Sequence, residues 1–185
     1  MNYKALILAV LLLGGCGQPA DNTWKGYDKN NTEVPKGDPS FPVLGTSWVI
    51  DKVGVLDKST ITKCDAICEK MKVDGVAEVI VLVQNGVKKP EEYATHYGRW
   101  LGLGKAASTA EGGQNGLVWL IRPDADERIT VSVGRGLTQF TTVDYGKVMD
   151  AARDYVNFNN FDMAVDTIVT MSDKSIREIY KKEKK

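Results

Sequence analysis

Asn115-Gly116-Leu117-Val118-Trp119-Leu120-Ile121, then Arg122-Pro123-Asp124-Ala125-Asp126-Glu127-Arg128, then Ile129-Thr130-Val131-Ser132-Val133-Gly134-Arg135-Gly136-Leu137, is the stretch that decides the fold. The apolar run from Leu117 to Ile121 reads as a strand buried on both faces. Ile129, Val131 and Val133 alternate with Thr130 and Ser132, the pattern of a half-buried strand. Pro123 to Glu127 joins the two most simply as a β-hairpin with a short acidic turn. Gly134 and Gly136 bracket Arg135, where the chain must leave the sheet sharply.

Working outward, Val76 to Val83 is apolar and β-branched, a second central strand. Trp48 to Leu56 is an extended lead-in ending in a turn. Asp57 suits an N-cap, with Leu56 and Ile61 spaced as a hydrophobic staple. Ile61, Cys64, Ile67, Cys68 and Met71 share one face of the following helix, which Gly75 closes. Pro90-Glu91-Glu92 opens another helix with acidic residues where the dipole favours them, and Tyr93, Tyr97, Trp100 and Leu101 form its buried stripe. Gly102 to Gln114 is a long Gly-, Ala- and Ser-rich stretch of the kind that is functional or disordered in compact domains. A third helix starts near Thr141 and Thr142, with Tyr145, Val148, Met149, Ala152 and Tyr155 inward. Asn157 to Asn160 breaks it, and a last helix runs from Phe161 with Val165, Ile168, Met171, Ile176 and Ile179 inward. Strands interleaved with helices predict one α/β domain over residues 42–180, a three-layer α/β/α sandwich around a mixed sheet.

The N-terminus lies outside that fold. Lys4 and the apolar run from Ala5 to Leu13 are too short to span a bilayer but suit a signal peptide over residues 1–15. Leu13-Gly14-Gly15-Cys16 resembles the lipobox of bacterial lipoproteins, which implies acylation at Cys16. Gly17 in place of Asp favours the outer membrane under the Gram-negative sorting rule. Residues 16–41 read as a polar tether and Lys181 to Lys185 as a solvated basic tail. The expected location is therefore the cell envelope, periplasmic side, with the domain held to the membrane through lipid on Cys16.

Across 185 residues, Lys+Arg and Asp+Glu both number 24, so net charge gives no reason to expect nucleic acid. A monomeric domain with an envelope protein partner is the simpler expectation. Cys64 and Cys68 read as core thiols, because a regular helix holds i and i+4 side chains poorly for bridging. Zinc would need more ligands than one histidine supplies, and His96 falls beside Tyr93 and Trp100 as a structural residue. There is no Gly-x-Ser-x-Gly elbow. Gly104-Lys105-Ala106 lacks the rest of a P-loop, and Gln139 stands where a dinucleotide fingerprint needs glycine.

Asp51, Asp124, Asp126 and Asp144 fall in or next to loops between elements, and hard cations such as Ca2+ bind clusters of this kind. Each also has a structural alternative: Asp124 and Asp126 suit a turn, and Asp144 the first turn of a helix.

The ordered set of pieces resembles the TPM domain family, also described as thylakoid lumen acid-phosphatase-like. The pieces are Val49-Ile50-Asp51 to Leu56, the Glu92 helix ending at Gly104, Asn115-Gly116 with its strand, Arg128 to the Gly134/Gly136 corner, Thr142/Asp144, and Phe161-Asp162. The resemblance spans about residues 42–180 and departs from the family pattern at Ser132 and around Phe140 to Val143. It implies an α/β/α sandwich outside the cytoplasm, divalent-cation binding, weak acid-phosphatase activity in some members, and roles in membrane-complex assembly. The leading expectation is a lipid-anchored envelope accessory domain with a candidate calcium site. The alternative is a weak metal-dependent acid phosphatase in which Arg128 or Arg135 contacts the anion.

Overall fold

The computed structural model describes residues 40–104 and 115–182. The elements are β1 (Val49–Asp51), α1 (Lys58–Val73), β2 (Glu78–Val83), α2 (Pro90–Leu101), β3 (Gly116–Ile121), β4 (Ile129–Val133), α3 (Thr142–Asn157) and α4 (Phe161–Lys182). A short 3-10 turn, Arg135–Leu137, follows β4. The sheet order is β1-β2-β3-β4. β1, β2 and β3 are parallel, and β3 pairs antiparallel with β4 through the expected hairpin, with Trp119 opposite Val131. β2 and β3 are buried along their whole length, as the apolar runs Val79 to Val83 and Leu117 to Ile121 require.

Alternation along β3 sorts the helices onto two faces. Val118 points at α2, where a Cβ on Gly98 would lie 3.0 Å from it, while Trp119 Nε1 donates to Ser172 Oγ of α4 at 3.1 Å. α1 joins α4 on that second face, tied by Lys63–Asp166 and Arg177–Asp74, each at 2.7 Å. The three-layer α/β/α sandwich is therefore the observed architecture. Both parallel crossovers step the same way across the sheet, yet α1 and α2 lie on opposite faces. One of them thus departs from the right-handed norm.

Local details correct parts of the sequence reading. Asp57 occupies the N-cap of α1, but its side chain makes no cap bond; instead its backbone N–H donates to Asp162 at 2.9 Å. In α3 the buried positions are Val148, Ala152 and Val156, a strict i+4 row, so Tyr155 turns outward at 36% exposure. Gly134 has φ −68°, so the chain leaves β4 by a 3-10 turn without left-handed backbone. Gly75 (φ +66°) does close α1 as expected. Phe41 packs with the domain among Tyr93, His96, Tyr97 and Trp100, at ring separations of 4.8 to 5.6 Å. Residues 1–39, with Cys16, residues 105–114, and residues 183–185 of the basic tail lie outside the described residues.

Candidate functional site

Because β1, β2 and β3 run parallel, their carboxyl ends at Asp51, Val83 and Ile121 share one rim. Open α/β sheets bind ligands outside such ends. Asp51 closes β1 on this rim, and Asp124 and Asp126 stand in the turn after β3. Topology has gathered three of the four candidate carboxylates at one end of the sheet.

Each has a different local occupation. Asp51 Oδ1 accepts from the N–H groups of Val53 (2.9 Å) and Gly54 (2.8 Å), and Oδ2 from Leu56 (2.8 Å), so the carboxylate shapes the loop into α1. Asp124 Oδ2 accepts from Gly86 N–H at 2.8 Å, tying the hairpin turn to the loop after β2. Asp126 is exposed and lines an open cleft of about 520 Å³ with Glu127, Arg128, Ile129, Met149, Arg153, Val156 and Asn157. Two strand spacings, about 10 Å, separate β1 from β3, too far for Asp51 and Ile121 to share one coordination sphere through backbone placement alone.

Asp144 lies at the other end. β4 runs back along β3, so α3 starts near the amino ends of the parallel strands and returns to the rim only at Val156, whose carbonyl meets Arg128. The helix rise puts Asp144 roughly 18 Å from that point. There it completes a capping box: Oδ2 accepts from Thr141 N–H (2.9 Å) and Thr141 Oγ1 (2.8 Å). Partial burial pushes its carboxyl up, but the bonds from Thr141 outweigh this and hold it below the ordinary value. Among the described residues no group of three or more His, Cys, Asp or Glu is placed to hold a metal ion.

The two candidate anion contacts separate as well. Arg128 is spent on structure, donating Nε to Ala125 O (3.0 Å) and Nη1 to Val156 O and Asn159 Oδ1 (both 2.7 Å), which ties the carboxyl end of α3 to the hairpin. Arg135 is exposed at the opposite end of β4. Sequence reasoning missed buried Arg122, which donates to the carbonyls of Val87 and Glu127 and braces the same rim. It also missed Asp65, which receives Trp48 N–H (2.7 Å), Val49 N–H (2.8 Å) and Ser47 Oγ (2.7 Å) and so seats β1 on α1. Its one sequence signal was a carboxylate adjoining buried Cys64.

Cys64 and Cys68 are free and buried, as read from their spacing. Burial pushes the Cys64 thiol up to about 11 and Cys68 further, so neither is a ready nucleophile at neutral pH. His96 is fully buried beside Phe41.

The TPM domain model matches residues 49–175. Among solved structures, the N-terminal domain of the cg2496 protein from Corynebacterium glutamicum is 17% identical at TM-score 0.54, covering 72% of this chain and 82% of that one. The N-terminal domain of a protein from P. gingivalis is 17% identical at TM-score 0.55, covering 71% and 85% respectively. These likenesses concern the fold. No curated protein matches the chain. With the family model spanning the whole sheet, from β1 into α4, the chain belongs to the TPM domain family.

Proposed function

We propose that this chain is a lipid-anchored accessory domain of the cell envelope that works by binding another envelope component. The anchor rests on the order of Lys4, the apolar run to Leu13, and Gly14-Gly15-Cys16. The observation that carries the binding role is the occupation of the rim. Asp51, Asp124, Arg122 and Arg128 all brace loops there, and the thiols and histidine are fully buried on α1 and α2. A stiff, braced loop cluster suits a partner surface.

A cation-dependent phosphatase is the second reading. It is favoured by Asp51, Asp124 and Asp126 sharing the rim, and by the family model's name, which includes phosphatase. As they stand, these carboxylates do not fit a calcium centre: Asp51 and Asp124 already serve backbone N–H groups, and only Asp126 is uncommitted. No chemical step is therefore assigned to them.

Two experiments test this. Radiolabelled palmitate should enter the wild-type chain and not Cys16→Ser, which should also leave the membrane fraction; equal labelling would remove the anchor. Phosphomonoester turnover should be absent with Ca2+, Mg2+ or chelator. A metal-dependent turnover lost in Asp126→Asn would put the phosphatase first.

A further inference from the structure

The turn between α3 and α4 holds an aromatic ring out in solvent. Phe158 caps the carboxyl end of α3 and is 84% exposed, the largest fraction among the large apolar side chains described. Fraying does not account for this. Asn159 N–H donates to Val156 O at 3.0 Å and Asn160 N–H to Tyr155 O at 2.8 Å, a Schellman closure with Asn159 left-handed at φ +58°. Arg128 grips the same turn at Val156 O and Asn159 Oδ1, and Asn160 Oδ1 accepts from Met163 N–H at 3.2 Å. Tyr155 (36%) and Met163 (41%) flank the ring in sequence, so half of the exposed large hydrophobics described belong to this one turn.

The turn lies on the carboxyl rim, between the hairpin that Arg128 closes and the β1–α1 loop, where Asp57 N–H meets Asp162. The chain also enters the domain at this rim. Ser40 O accepts from Gln84 Nε2 (3.4 Å), one residue beyond β2, and from the Tyr93 hydroxyl (3.1 Å) near the start of α2.

We propose that the rim rests on the bilayer that holds the Cys16 anchor, with Phe158 entering its interfacial layer. This rests on the anchor proposed above, and names the envelope component that the rim meets. Three arguments select lipid. The chain from Cys16 to Ser40 reaches at most about 85 Å. Turning the opposite pole to the bilayer would take up about 33 Å of that reach, the length of the 22-residue α4, so the rim is presented first. Tethering also makes the contact intramolecular, and so populated where a free protein with one exposed ring would stay in solution. Lastly, Asn157, Asn159 and Asn160 beside the ring are uncharged, and Asp154 and Asp162 lie about one helical turn away on either side. Entry of the ring alone therefore takes no ion out of water. The Asn159 and Asn160 amide oxygens are already bonded within the turn, which leaves few directional contacts to specify a protein; a fluid apolar layer needs none.

The test uses the full chain in vesicles of phosphatidylethanolamine and phosphatidylglycerol, with circular dichroism to confirm folding. Cys64 and Cys68 are buried, so a thiol placed on the surface takes an environment-sensitive fluorophore alone. The label on Phe158→Cys should shift to the blue, lose most of its quenching by aqueous iodide and be quenched by spin-labelled lipid. The label on Val143→Cys, 66% exposed at the opposite pole, should stay in water. Flotation with the vesicles, lost in Cys16→Ser, reads the anchor separately. A wild type that does not float fails at the anchor and takes the docking with it. A floating chain whose Phe158→Cys label stays in water, or whose Val143→Cys label enters lipid equally, fails at the docking alone. Protection of the Phe158→Cys label in native membranes but not in pure lipid would give the turn to a protein and overturn the proposal.

Discussion

Asp124 Oδ2 accepts the backbone N–H of Gly86 at 2.8 Å across 38 residues of sequence. This bond joins the β3–β4 turn to the loop after β2, where Gly86 sits at φ +76°. Removing the carboxylate leaves a donor that only water can satisfy. Asp124→Ala should cost about 1 kcal/mol, read as a lower urea midpoint at unchanged slope. Asp126→Ala, with no such bond, should be neutral within about 0.5 kcal/mol. Equal losses from both would mean the turn is held otherwise.

Asp51 is a harder case, because three N–H groups depend on one carboxylate. Asp51→Ala should destabilise by about 2–3 kcal/mol. Asp51→Asn should lie in between, its single carbonyl oxygen serving Val53 and Gly54 but not Leu56. Loss of calcium binding in an Asp51 variant would therefore confound loop collapse with a lost ligand. Calorimetric titration should compare wild type with Asp126→Asn, and identical heats would assign Asp126 no part in cation binding.

The strand pair was legible because Leu117 to Ile121 and the alternation at Ile129, Val131 and Val133 are local patterns. Gly75 and the start of α3 near Thr141 were legible for the same reason. The roles of Asp65 and Asp162 were not: their partners lie 17 and 105 residues away, and no local pattern names those partners. The four aspartates show the limit most clearly. Sequence places each beside an element, but only strand direction decides which end of the sheet it reaches. That direction put Asp144 opposite the other three.

Asp144 should give the fold an acid-sensitive edge. Partial burial alone would raise its carboxyl, but Thr141 N–H and hydroxyl hold the folded value below the ordinary carboxylate value. Ionisation therefore favours the folded state. This stability is complete above the unfolded value and fades as pH falls through the depressed folded one. Thr141→Ala should cost about 1 kcal/mol at neutral pH. The gap from wild type should narrow below the ordinary carboxylate range; a pH-independent gap would exclude the capping box as its source.

Cys64 and Cys68 should resist alkylation in the native protein. Burial raises the Cys64 thiol to about 11, with further help from the Asp166 charge, and Cys68 is raised more. Thiolate fractions near pH 8 are correspondingly small. Iodoacetamide should label both only at the rate of unfolding, and fast labelling without denaturant would show the face between α1 and α4 opening locally.

Gly116 begins β3 directly against the end of the α2 segment. A Cβ there would lie 2.7 Å from Leu103 Cβ and 3.1 Å from the Leu103 carbonyl carbon. Neither atom is the far end of a flexible side chain, so relief requires moving the backbone after Gly102, which is itself left-handed at φ +65°. That backbone is held by Leu103 N–H to Gly98 O at 3.0 Å and by Gly104 N–H to the buried Glu78 carboxylate at 2.7 Å. Gly116→Ala should therefore destabilise by about 1–3 kcal/mol. Leu103→Ala keeps a Cβ, and so does not relieve the clash. Adding it to Gly116→Ala should give no rescue, whereas Leu103→Gly should recover part of the loss by removing the 2.7 Å contact. A fully stable Gly116→Ala would mean that the α2 end yields freely, and that the glycine opening this strand answers to something other than close packing.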